Sequence, residues 1–181
     1  GRGIAGNNAV HEMTHAWACY LDTSLGLSDA TGHYLQYTSV GSPIGGFVWT
    51  LNPDGTFTLN CDEGRNGAYH APPLDKYLMG LIDGPAVGPI HVNPNLSVAV
   101  DCGNAVVSNF DVAIQDIQNL HGVRTPAPAS AQRNFAIAFV AESHDRLLTP
   151  TELTFYEILA DHFTRPLASA DPDPYLGFNW P

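Results

Sequence analysis

The stretch His11-Glu12-Met13-Thr14-His15, with Trp17 and Tyr20 close behind it, decides how the chain is read. Two histidines four residues apart on a helix project from one side about one turn apart, so their imidazoles can close on a single metal ion. Glu12 then stands beside that ion, placed to take a proton from water. Zn²⁺ suits the set because it accepts neutral imidazole nitrogen, leaves a position open for water and lowers that water's pKa towards neutrality. In a chain with 8 His, a chance match to this pattern is expected about once in a hundred such sequences.

The surroundings favour a helix. Between Ile4 and Asp22 only Gly6 opposes one, and Val10, Met13, Trp17 and Leu21 form an apolar stripe at helical spacing. A helix is expected over that span, with the stripe towards the core and His11 and His15 on the neighbouring face, towards a cleft.

A catalytic metal needs a third protein ligand. Asp22 falls on the same helical face as the two histidines, but it lies seven residues beyond His15, about 10 Å further along a continuous helix. His33 is the better candidate, because a glycine-containing loop separates it from His15 and can fold the chain back over the site. His70 and Glu63 stand in reserve. His91, His121, His144 and His162 lie close to turns and helix ends, where solvated or capping roles are expected. The charge that develops on an attacked carbonyl also needs a hydrogen-bond donor. Tyr77, Tyr69 and Tyr34 lie in segments that could approach the site, with Tyr77 the first choice, and His70 could act in the same way.

Composition narrows the classes of function. The chain has 181 residues, 44% of them hydrophobic, enough for one domain with a sizeable interior. Its formal net charge is −11, and Lys76 is its one lysine, so no basic face is expected to hold a nucleic-acid backbone. No apolar run approaches the roughly 20 residues needed to cross a bilayer. Acidic, lysine-poor and rich in Gly and Pro, the chain reads as secreted. One disulfide is expected there, with Cys61–Cys102 the preferred pair and Cys19 a core thiol.

Along the chain, His33 to Val40 reads as a strand or extended segment. Gly46–Leu51 and Thr56–Asn60 flank the turn signal Asn-Pro-Asp-Gly and form a hairpin. Leu74 to Leu81 is a short helix stopped by Gly80 and Gly84. The runs Ile90–Val92, Leu96–Asp101 and Ala105–Val107 fit either a small antiparallel sheet or irregular loops. A helix capped by Ser108 or Asn109 is expected to run to His121, with Phe110, Ile114, Ile117 and Leu120 inward. Asn134 to Ala141, apolar on both parities, fits a buried strand. Thr149, Pro150 and Glu152 open a capped helix that Pro166 ends. Residues 167–181 form a proline-rich tail.

Taken together, HEMTHAWACYLD, GHYLQYTSVGSPIGGFVW and APPLDKYLMGLI resemble a group of large secreted bacterial metallopeptidase-like proteins. The group shares a His-Glu-x-x-His-x-Trp helix, a Gly-His-Trp-like segment ending in Gly-Gly-aromatic, where this chain has Tyr34 in place of Trp, and a Ser-Pro-Leu-Asp-x-Tyr-Leu-Met-Gly block. DVAIQDIQNLHGVRTP and LLTPTELTFYEILADHF also look similar to its downstream helices. The resemblance implies zincin chemistry on peptide bonds, and it supports His33 as the third ligand. Met79 looks like the methionine that lies under the zinc of metzincins, although Ala18 and Leu21 stand where a metzincin helix carries its glycine and third ligand. A plain core methionine is the equal alternative.

The sequence therefore leads to an α+β, zincin-like catalytic domain over residues 1–166, with an active-site helix, a small antiparallel sheet and C-terminal helices. The expected activity is a secreted zinc endopeptidase acting on peptide or protein substrates, with His11, His15 and His33 on Zn²⁺, Glu12 as base and Tyr77 as donor. Zincins place a sheet before the active-site helix, and none precedes it in this numbering. A processed chain or an excised domain is expected, with an N-terminal segment of the same gene product as a partner. Neither nucleic acid nor membrane is expected as one. The rival is a secreted binding or surface module whose zinc site is structural or vestigial.

Overall fold

A computed structural model describes residues 11–18, 20–61, 71–134, 138 and 140–164. The architecture is mixed α+β, with two small antiparallel sheets, short helices and long irregular connections. Strands β1 (Val48–Leu51), β2 (Phe57–Asn60) and β4 (Ala105–Val106) form one sheet in the order β1-β2-β4. Strands β3 (Ile90–Val92) and β5 (Phe110–Val112) form the other. The helices are α1 (Pro73–Met79), α2 (Val98–Asp101), α3 (Ile114–His121) and α4 (Pro150–Thr164), in addition to a helical turn at residues 11–14.

The expected hairpin forms. β1 pairs with β2 in a register that sets Val48 opposite Asn60 and Leu51 opposite Phe57. Asp54 Oδ1 closes the turn by accepting from the amide and hydroxyl of Thr56. Beneath this sheet Phe47, Leu59 and Val106 make a small core of their own. Cys61, at the end of β2, is bonded to Cys102, just after α2, with Cα atoms 5.7 Å apart. The disulfide therefore locks the edge where β4 joins the hairpin.

The larger core gathers Leu27, Tyr34, Ile44, Leu74, Val92 and Ile117, among others. Burying each such aliphatic side chain contributes about 2 kcal/mol. α1 packs here, with proline at its first turn and Gly80 as a left-handed cap whose amide returns to Lys76 O and Tyr77 O. Arg124 crosses the end of α1, donating to the Leu78 and Met79 carbonyls that the helix leaves unpaired.

Several expectations change. Residues 11–14 are helical, but the chain does not continue as a helix to Asp22. Trp17 N and Ala18 N both donate to Thr14 O and close a last turn. The chain then leads into a 3-10 turn at Thr23–Leu25 capped by the Asp22 carboxylate. Burial of Ala18, Leu21 and Leu25 outweighs local helix propensity here. Residues 4–10 and Cys19 lie outside the described residues. His33–Val40, expected as a strand or extended segment, forms no strand: the chain turns at residues 36–37, with Thr38 N returning to Leu35 O, and the segment holds isolated bridges, Tyr34 with Ser28 and with Gly45, and Thr38 with Val92. Phe110–Val112 is a strand paired with Ile90–Val92, so α3 begins only at Ile114. Its Ala113 amide is capped by Asp116 Oδ2 at 2.8 Å. Of that helix's expected inward residues Ile117 is buried, while Phe110 and Leu120 are exposed.

Of the buried strand expected over residues 134–141, the described members Asn134, Ala138, Val140 and Ala141 are exposed and belong to no strand. They lack a sheet to cover either face. α4 does form, with Thr149 and Glu152 exchanging the expected capping hydrogen bonds. Its apolar residues Leu153, Phe155, Tyr156 and Ile158 are nonetheless exposed. Pro166 and the tail lie outside the described residues. Among the described residues no helix is long and apolar enough to cross a membrane.

Candidate metal centre

His11 opens the helical turn of residues 11–14, and His15 follows it by one turn of chain. His33 arrives from the loop 26–33, whose path is set by Asp29. One oxygen of that carboxylate, Oδ1, accepts from Thr31 N at 2.8 Å, from Thr31 Oγ1 at 2.6 Å and from His33 N at 3.2 Å. The side chain thereby folds residues 29–33 into a turn that aims His33 back at the helix. These bonds, the Thr31 hydroxyl first, hold the Asp29 carboxyl below the usual range, so it is ionised and accepts only.

The three imidazoles converge. His11 Nε2 lies 3.1 Å from His33 Nε2 and 3.3 Å from His15 Nε2. One nitrogen from each ring lies within 4.8 Å of the other two. The His15 ring stands steeply to both of its partners, 80° to His11 and 86° to His33, while the His11 and His33 rings are tilted by 34° to each other.

What lies behind the rings fixes which nitrogens carry protons. His11 Nδ1 is 3.0 Å from the Pro43 carbonyl. A carbonyl can only accept, so this nitrogen holds the hydrogen. His33 Nδ1 is 2.9 Å from Thr31 Oγ1, whose own proton is committed to Asp29. His33 Nδ1 therefore donates as well. In the neutral rings, both Nε2 atoms then present lone pairs to each other across 3.1 Å. That contact is repulsive unless a cation, a proton or a metal ion, sits between them. Backbone carbonyl and hydroxyl–carboxylate partners behind the imidazoles are what metal-ligating histidines ordinarily have.

Burial, then the neighbouring His11 and His33, lowers the pKa of His15, with Glu12 pulling the other way. Low basicity keeps an imidazole available as a ligand near neutral pH. Glu12 itself is exposed beside the cluster, and Tyr20, also largely exposed, sets its ring 6.5 Å from that of His15. Among the described residues the group of potential ligands comprises these three histidines.

Other candidates have different surroundings. Asp22 Oδ1 caps Ser24 N, and the Asp22 amide donates to His121 Nε2. Tyr77 is buried, its hydroxyl accepting from Gln118 Nε2 at 3.1 Å and Arg124 N at 3.2 Å. Tyr34 donates its hydroxyl to Asp75. His91 pairs with Asp111 and stacks on Trp49. Met79 is buried at the end of α1. Glu63, Tyr69 and His70 lie outside the described residues.

No known family model matches the chain, and no curated protein or solved structure matches it either. The geometry of the three histidines therefore carries the functional reading. Sequence reasoning missed Asp29, Thr31 and Pro43, and it noted Tyr20 behind the motif without giving it a role. The pattern Asp29-x-Thr31-x-His33 carried a signal, since an Asp two residues before a Thr is a standard side-chain-to-backbone turn.

Proposed function

We propose that the chain is a secreted zincin-type hydrolase that cleaves peptide bonds with one zinc ion held by His11, His15 and His33. The observation that carries this reading is the pair of facing Nε2 lone pairs on His11 and His33, joined by a third imidazole beside an exposed glutamate.

The donor set fits zinc. Four-coordinate zinc with Zn–N bonds of about 2.0–2.1 Å sets its ligand nitrogens about 3.3–3.4 Å apart, against 3.1 and 3.3 Å from His11 Nε2 to its two neighbours, with all three nitrogens inside 4.8 Å of one another. Zinc bound there would supply Lewis acidity, acidifying water and polarising a carbonyl. Pro43 and the Thr31–Asp29 pair keep the His11 and His33 nitrogens aimed and their Nδ1 protons in place. Glu12 takes the proton from the attacking water and returns it to the departing amine. Its exposure leaves the carboxylate free to exchange that proton with substrate. Tyr20, exposed and with its ring 6.5 Å from that of His15, serves as hydrogen-bond donor to the developing oxyanion, the role expected of Tyr77. Tyr77 keeps its hydroxyl in the core.

A ligand group of three among the described residues supports a catalytic site over a structural one, because structural zinc fills its fourth position with protein. The resemblance of HEMTHAW, GHYLQYTS and YLMG to secreted metallopeptidase-like proteins supports peptide as the substrate. The disulfide supports an oxidising compartment.

The test is metal analysis of the purified chain together with Glu12→Gln, both assayed on an unfolded protein substrate. One equivalent of zinc in each, with cleavage lost in the variant, is the expected result. Zinc in both with cleavage in neither favours the structural module, and absence of zinc removes the site.

A further inference from the structure

Asp75 is fully buried in the first turn of α1, and nothing in the hydrolytic chemistry uses it. Each of its oxygens receives one short hydrogen bond. Tyr34 Oη donates to Oδ1 at 2.8 Å, and Ser42 Oγ donates to Oδ2 at 2.6 Å. Tyr34 is the residue after His33. Ser42 is the residue before Pro43, whose carbonyl holds His11 Nδ1. One carboxylate therefore grips both pieces of chain that aim the imidazoles.

We propose that Asp75 is a positioning residue of the metal centre, its two oxygens fixing the segments 33–34 and 42–43 so that the His11 and His33 nitrogens meet at metal-binding distance. This rests on the reading of the three histidines as a metal site. The two segments also meet directly, Tyr34 N donating to Ile44 O at 3.0 Å, and Ser42 Oγ accepts from Ile44 N. Their spacing is thus set at two levels, backbone to backbone and through the carboxylate. Burial pushes the Asp75 carboxyl up to about 6, against the pull of its two donors. A buried carboxylate is a costly way to hold a core together, where apolar packing would serve. Such a group is expected where its geometry matters to a site.

The experiment compares zinc affinity, by competition with a chromophoric chelator, and the visible absorption of the Co²⁺ form in wild type, Asp75→Asn and Ile117→Ala. Ile117→Ala is a control that loses stability in the same core through a side chain with no hydrogen bond to offer the site. Asp75→Asn is expected to bind zinc 10- to 100-fold more weakly, with an altered cobalt spectrum, while Ile117→Ala keeps wild-type affinity and spectrum. Tyr34→Phe and Ser42→Ala each remove one arm and are expected to weaken zinc several-fold; they decide the matter if Asp75→Asn does not fold. Wild-type affinity in Asp75→Asn, or in both single-arm variants, overturns the proposal and leaves the metal site standing. Equal loss in Ile117→Ala also overturns it, since general stability would then account for the effect. Failure of the wild-type chain to bind zinc removes the site and the proposal together.

Discussion

His11 Nε2 and His33 Nε2 stand 3.1 Å apart, each on a ring whose Nδ1 already donates a hydrogen bond elsewhere. Folding therefore brings two acceptors together, and a bound cation relieves that contact. Zinc should stabilise the native state in proportion to its occupancy, by about 4 kcal/mol when free zinc exceeds the dissociation constant a thousandfold. Differential scanning calorimetry with zinc and with EDTA reads the effect as a shift in Tm. His33→Ala is expected to abolish the shift, and a wild-type Tm indifferent to zinc would sink the metal assignment.

Thr31 links Asp29 to His33 through a single hydroxyl, which donates to one and accepts from the other. Thr31→Val keeps the shape and deletes both bonds. His33 then loses the acceptor that fixes its Nδ1 proton, so either ring nitrogen can carry it. Zinc affinity is expected to fall about tenfold, with global stability changed by about 1 kcal/mol. Isothermal titration and urea denaturation separate the two; unchanged affinity would show that the hydroxyl plays no part in aiming the ring.

How much of this was legible in sequence follows the range of the interactions. His11 and His15 are local to one helical turn, and their spacing alone brought them together. The Asn-Pro-Asp-Gly turn and the Thr149–Glu152 cap are equally local, and both formed as expected. His33 was reachable because a third ligand had to come from a chain reversal. Long-range partners carried no such mark. Nothing around Phe110 says that it will pair with Val92 and not begin a helix. Asp75 sits in a run that reads as a small buried helix, and its two donors lie 41 and 33 residues away. The early end of the His11 helix is also a tertiary effect, since its sequence has no breaker there.

Gly45 has φ +132°, and a Cβ placed on it would sit 2.1 Å from the Tyr34 carbonyl oxygen, beside His33. Backbone cannot swing aside as a side chain can. Gly45→Ala is expected to cost about 3 kcal/mol or more and to weaken zinc binding with it. Gly55→Ala is the matched control. Its φ is +85° but its surroundings are open, so only the backbone preference of about 1 kcal/mol is lost. Equal losses for the two variants in urea denaturation would mean that the Tyr34 contact imposes nothing.

The Cys61–Cys102 bond closes a sequence separation of 41. Loop-closure entropy assigns such a crosslink about 4 kcal/mol of stabilisation through the unfolded chain. Replacing both cysteines by serine should lower the urea midpoint accordingly while leaving zinc affinity near wild type, because the bond ties β2 to the end of α2 and carries no ligand. Loss of zinc binding in the folded double variant would place the disulfide in the site's support.

Asp75 predicts a dependence of stability on pH whose sign is opposite to that of a salt-bridged carboxylate. Its folded-state pKa is raised from 3.8 to about 6, because burial disfavours the charged form more than the Tyr34 and Ser42 hydroxyls favour it. Between those values the native chain binds more protons at this site than the unfolded chain, so its contribution to stability falls as pH rises. The contribution is fully present below about pH 4 and is lost as pH rises through about 6; a shift of this size corresponds to about 3 kcal/mol. Asp75→Asn does not titrate. In EDTA, the unfolding free energy of wild type minus that of the variant is therefore expected to fall between pH 4 and pH 7, by up to that amount. A difference that stays level across the window, or rises, would mean that the carboxyl is ionised throughout and that its two donors fully offset its burial.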